Sequence, residues 1–137
     1  GEAPVQLAED ALHAASHIVF SEQGLIDYAG ASTASALAEV ALRLGTFVAV
    51  TRGAAPVLCH GPDGAFMVET FATVAVDTLG AGDVWHAAFA LSLARGAGAY
   101  AAVRFANATA ALKVATKGGF PTDEAVLALL SKGTTRG

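Results

Sequence analysis

Val76-Asp77-Thr78-Leu79-Gly80-Ala81-Gly82-Asp83 stands between a stretch rich in β-branched and aromatic residues (70–76, Thr-Phe-Ala-Thr-Val-Ala-Val) and a stretch with apolar residues at helical spacing (84–95). The two patterns predict a strand that turns into a helix at the glycines. Gly80, Ala81 and Gly82 are small enough for a ligand to approach the backbone closely. A helix starting there points unpaired N–H groups and the positive end of its dipole outwards. That combination favours anions, phosphate above all.

Asp83 would repel a phosphate unless its task is to take a proton from the group that attacks it. Its placement therefore suits phosphoryl transfer to a hydroxyl, with Gly80, Ala81 and Gly82 stabilising the transferring charge. A carboxylate is a weak base at neutral pH, so its part is to orient the hydroxyl and accept the proton late. Chemistry alone leaves a second reading open, in which Asp83 only caps the helix. Two other phosphate loops do not fit: a dinucleotide fingerprint needs a glycine where Trp85 stands, and no Gly-x-x-x-x-Gly-Lys-Ser/Thr occurs.

The 137 residues suit one domain, and 54% hydrophobic with 15% charged residues supplies ample core material. No stretch reaches the roughly 18 consecutive apolar residues of a membrane helix, so the expectation is a soluble chain without a membrane partner. A net charge of −4 with no Lys/Arg cluster argues against a nucleic-acid surface. Cys59 is the sole cysteine, which excludes an internal disulfide and makes the cytoplasm the simplest compartment. The first residue is Gly1, which reads as a processed start or a piece of a longer chain.

Working outward, residues 7–15 read as a helix and Ile18-Val19-Phe20 as a short buried strand. His13 and His17 stand four apart, but no glutamate follows His13, and the pair is read as no metal site. Residues 32–44 form a helix with Ser32 as its cap and Leu37, Val40, Ala41 and Leu44 as its apolar stripe. Residues 46–51 (Thr-Phe-Val-Ala-Val-Thr) read as a strand buried on both faces, which places Thr51-Arg52-Gly53 at its C-terminal edge. Gly61-Pro62-Asp63-Gly64 signals a hairpin. Residues 100–115 predict a long alanine-rich helix, in which Asn107 is either satisfied in packing or open to a ligand. A last helix starts near Pro121 and ends near Lys132.

The run from Asp77 to Asp83 resembles the second signature of the ribokinase-like (PfkB) carbohydrate kinases. Val50-Thr51-Arg52-Gly53 upstream, and Arg104-Phe105-Ala106-Asn107-Ala108-Thr109-Ala110-Ala111 and Lys117-Gly118-Gly119 downstream, match in order, so the likeness covers nearly the whole chain. The resemblance implies a three-layer α/β fold with a mainly parallel sheet, of which residues 1–137 are the C-terminal, nucleotide-binding half. It implies ATP with Mg²⁺, phosphoryl transfer to a sugar hydroxyl with Asp83 as base, and nucleotide contacts from Thr51, Gly53 and Asn107. It further implies a monovalent cation such as K⁺ near Asp77 and the carbonyl of Leu79. The family's Asn-x-x-Glu is represented by Ser21-Glu22-Gln23-Gly24, which lacks both end residues.

Two rivals accompany that reading. One is a non-catalytic nucleotide-binding fragment, because the family's sugar-binding residues and lid lie in the other half. The second is a nucleoside kinase of the same family. The run from Thr78 to His86 leans, by resemblance, towards ketose-type sugars. A half-domain also exposes apolar surface at its missing edge, which predicts a tendency to associate as a homo-oligomer.

Overall fold

The computed structural model describes residues 16–72, 80–115 and 121–132, and the chain divides into two compact units, Gly1–Met67 and Val68–Gly137. The helix expected at 7–15, with His13, lies outside the described residues, as do Asp77, Leu79 and Lys117-Gly118-Gly119.

The first unit opens with β1 (His17–Ser21), α1 (Glu22–Ala29), α2 (Ala34–Leu44) and β2 (Phe47–Arg52). It closes with β3 (Ala55–Gly61) and β4 (Gly64–Val68), and the four strands form one sheet in the order β1-β2-β3-β4. β1 and β2 are parallel, from His17 opposite Phe47 to Ser21 opposite Thr51, and parallel neighbours need a crossover, which α1 and α2 supply. β2 and β3 are antiparallel, joined by the two-residue turn Gly53-Ala54. Among the described residues the sheet thus sets the parallel pair β1–β2 beside the antiparallel pair β2–β3.

β2 buries Phe47, Val48, Ala49 and Val50 in succession, the pattern of a strand covered on both faces. Ile18, Leu25, Leu37, Val40, Ala41, Leu44, Val48 and Val50 make the core of this unit. The expected stripe of α2 is the buried one, but its cap is Thr33, whose Oγ1 accepts from Ala36 N at 3.1 Å, and not Ser32. α1 has a similar cap, with Ser21 Oγ accepting from Gly24 N at 3.0 Å. Glu22 is the exposed first residue of that helix.

The second unit holds α3 (Ala81–Ala94), α4 (Ala99–Ala115) and α5 (Asp123–Lys132). α3 packs along α4, and the small residues Ala88, Ala102 and Ala106, all fully buried, let the two backbones come close. Phe71, Ala108, Ala111 and Val126 form a second cluster where α5 meets α4. Residues 70–72 carry no strand, which corrects the expectation for the beginning of 70–76. β-branched composition describes a residue's fit to a half-buried sheet surface and does not create a pairing partner. Among the described residues no helix is long and apolar enough to cross a membrane.

Candidate functional site

The start of α3 is built by Gly80. Its φ of 78° lies in the left-handed region, which costs a residue with a Cβ but not glycine. It occupies the N-cap without any side-chain cap, and the first backbone bond of the helix runs from Val84 N to Gly80 O at 2.9 Å. The N–H groups of Ala81, Gly82 and Asp83 thus precede the first bonded turn and have no partner within the helix. A Cβ placed on Gly80 or Gly82 would meet no heavy atom of the described residues within 4 Å, so among them the space beside the turn is open. Gly82 and Asp83 are exposed, and the carboxylate belongs to the first turn. Electrostatically the turn offers a dipole end and unbonded donors to an incoming anion, beside one acceptor for a proton.

His86 lies one turn further along, also exposed, with its Nδ1 2.8 Å from the carbonyl of Gly82. Its ring meets that of Trp85 edge-on, with centroids 5.4 Å apart. Trp85 itself is buried and stacks on Phe89.

Asn107 is where the structure departs most from the expectation. It is 4% exposed, its Oδ1 accepts from Trp85 Nε1 at 2.8 Å, and its Nδ2 donates to the Glu69 carbonyl at 3.0 Å. The amide is committed to packing on both sides, which corrects the picture of a side chain open to a nucleotide base. Burial of an amide is tolerable only with such partners. Trp85, which completes this arrangement, has no signal in the sequence beyond being the single tryptophan.

Thr51 and Gly53 belong to the first unit. Thr51 ends the register of β2 opposite Ser21, and its hydroxyl reaches the Phe20 carbonyl at a long 3.5 Å. Gly53 is exposed and turns the chain at φ 61°. Between them Arg52 is not a free cation arm: Nε and Nη2 both donate to the Pro56 carbonyl, at 3.0 and 2.8 Å, and lock the hairpin. Nothing in the sequence pattern announced that fork.

Among the described residues no three His, Cys, Asp or Glu side chains converge as a metal site. Cys59 is buried, and loss of solvation pushes its thiol up from 9.0 to about 12, which leaves it a neutral packing group.

Comparison with known proteins bears on this geometry. The family model described as pfkB family carbohydrate kinase matches residues 3–125. A ribokinase of Bacillus subtilis is 47% identical over 68 residues, covering 47% of this chain and 23% of its own. A crystal structure of an assigned ribokinase from Agrobacterium tumefaciens superposes with a TM-score of 0.83 at 38% identity, over 94% of this chain and 45% of that one. Arabidopsis thaliana ribokinase, solved with ribose and ATP, gives a TM-score of 0.76 at 30% identity, over 87% of this chain and 42% of that one. The chain therefore spans less than half the length of these relatives, and its α/β architecture is the ribokinase-like fold in part.

Proposed function

The chain belongs to the pfkB family of carbohydrate kinases, and on that premise we propose that the protein carrying it moves the γ-phosphoryl of ATP onto a sugar hydroxyl. In this reading residues 1–137 are the C-terminal, nucleotide-binding half of the kinase domain. The observation that supports it best is the start of α3, where an uncapped left-handed glycine, an open surface and an exposed carboxylate occur in one turn.

The N–H groups of Ala81, Gly82 and Asp83 take the phosphate oxygens, and charge developing on the transferring group is stabilised by donors already in place. Asp83 holds the sugar hydroxyl and accepts its proton as the bond to phosphorus forms. Thr51 and Gly53 line the nucleotide. Asn107 serves the same end from within the packing, and not through a contact with the base. Mg²⁺ bound to ATP supplies neutralisation of the phosphate charge, and among the described residues no side-chain set is assigned to hold it. The carbonyl of Leu79 and the carboxylate of Asp77 suit a hard monovalent cation such as K⁺, because both offer oxygen.

The experiment is an ATP-consumption assay of the full natural gene product against a panel of pentoses, hexoses, ketoses and nucleosides. Turnover on one sugar is the expected result. Turnover on nucleosides alone would make it a nucleoside kinase, and ATP binding without turnover on anything would leave a nucleotide-binding module.

A further inference from the structure

The two hydrogen bonds of Asn107 cannot be exchanged. An indole N–H only donates and a carbonyl only accepts, so Oδ1 must face Trp85 and Nδ2 must face Glu69. These partners stand on opposite sides of the Gly80 turn in the sequence: Glu69 on the chain that leads into it, Trp85 on the helix that leads out. Both Asn107 and Trp85 are almost wholly buried, at 4% and 5% exposure.

Residues two apart on an α-helix project about 200° apart around its axis, since each residue turns about 100°. Trp85 faces inward against α4, and Asp83, two residues before it, is exposed. Fixing the indole therefore fixes the direction of the carboxylate. We infer that Asn107 is a positioning residue, which ties the chain entering the Gly80 turn and the chain leaving it to one point of α4 and so sets the rotation of the first turn of α3.

No other side chain of this size offers a donor and an acceptor side by side. Aspartate keeps the acceptor for Trp85 but turns an oxygen towards the Glu69 carbonyl. Leucine fills the volume and leaves a buried indole N–H and a carbonyl without partners, an outcome that is costly in a closed interior. The functional side of the inference rests on the reading of Gly80, Ala81, Gly82 and Asp83 as phosphate turn and base. The structural side does not.

The test uses the full natural gene product with Asn107→Leu and Trp85→Phe, the latter removing the N–H while keeping an aromatic ring. Three quantities are measured: amide hydrogen exchange at Val84, Trp85 and His86, kcat, and the ratio of ATP to GTP affinity. The expected result in Asn107→Leu is exchange faster by at least tenfold in that first bonded turn and a loss of at least tenfold in kcat. The ATP to GTP ratio stays unchanged, and Trp85→Phe moves the same way by a smaller factor. Unchanged exchange in both variants would overturn the inference, as would a shifted ATP to GTP ratio with exchange unchanged, which is the mark of a direct contact with the base. If Asn107→Leu does not fold, Trp85→Phe decides by the same readouts. A wild-type protein without turnover would sink the kinase reading, while the exchange comparison would still decide the role of Asn107.

Discussion

The Nδ1 of His86 lies 2.8 Å from the carbonyl oxygen of Gly82 and must donate to it, because a carbonyl has no proton to give. In the neutral ring the remaining nitrogen, Nε2, is then an acceptor. An exposed imidazole is in this way held at the mouth of the α3 turn with one defined tautomer. The ¹⁵N shifts of His86 at alkaline pH should report the proton on Nδ1. A dominant Nε2–H form would mean that the bond to Gly82 does not persist in solution.

Asp83→Asn in the full natural gene product should lower kcat by a factor of about 10² to 10⁴, the usual worth of a positioned general base. ATP affinity should be nearly unchanged, because the amide nitrogens proposed to take the phosphates are untouched. Steady-state kinetics combined with equilibrium ATP titration separates the two effects. Full retention of rate would remove Asp83 from the role of base.

Gly80 and Gly82 should respond to alanine in opposite directions. Gly80 sits at φ 78°, so Gly80→Ala should cost about 1–2 kcal/mol of stability for the left-handed backbone. Gly82 has no positive φ and no described residue close to it, so Gly82→Ala should gain roughly 0.5 kcal/mol from better helix propensity. The same methyl would stand where the phosphate approaches, and ATP affinity should fall. Denaturant unfolding and ATP titration of both variants give the comparison, and a Gly82→Ala protein with undiminished ATP affinity would speak against the phosphate site.

Two adjacent hydroxyls at the start of α2 differ in use. Thr33 accepts from Ala36 N, whereas Ser32 lies outside the cap position. Thr33→Ala should cost about 1 kcal/mol and Ser32→Ala only a few tenths, as read from urea midpoints.

Cys59 carries a pH dependence of defined sign. Its thiol keeps its proton in the folded state up to about 12, while in the unfolded chain it loses it from 9.0 upwards. The unfolded state therefore binds fewer protons across that window, and stability falls as pH rises through it, by at most about 1.4 kcal/mol per pH unit. Below pH 9 the term is constant. The difference in unfolding free energy between wild type and Cys59→Ala, followed from pH 7 to pH 10.5, isolates it. A thiol reagent at pH 8 should label Cys59 only after unfolding.

What could be read from the residues alone was whatever repeats along the chain. The unbroken apolar run of β2 and the stripe of α2 follow from burial, and the Gly-Pro-Asp-Gly hairpin from turn chemistry. α1 left none, because among its eight residues only Leu25 is buried and Gly24 interrupts the pattern. The glycine turn at Gly80 was legible as a helix start, because only a residue without a Cβ takes the left-handed backbone there without cost. The commitment of Asn107 to Trp85 was not, since a hydrogen bond between residues 22 apart has no local signature. The choice of Thr33 over Ser32 was undecidable for a simpler reason: both carry the required oxygen, and only the path of the backbone distinguishes them.

Where α3 packs along α4, the alanines Ala88, Ala102 and Ala106 are fully buried beside the Trp85–Asn107 hydrogen bond. Such a seam has no spare volume to give, so the natural variation it tolerates is narrow: glycine or serine at these positions, and nothing larger without a matching loss across the seam. Exposed neighbours such as Leu91 and Tyr100 are under no such constraint. Among descendants of this gene the two helices should therefore diverge rapidly on their outer faces while the alanines stay still, and a catalogue of such descendants would trace the seam without any coordinates.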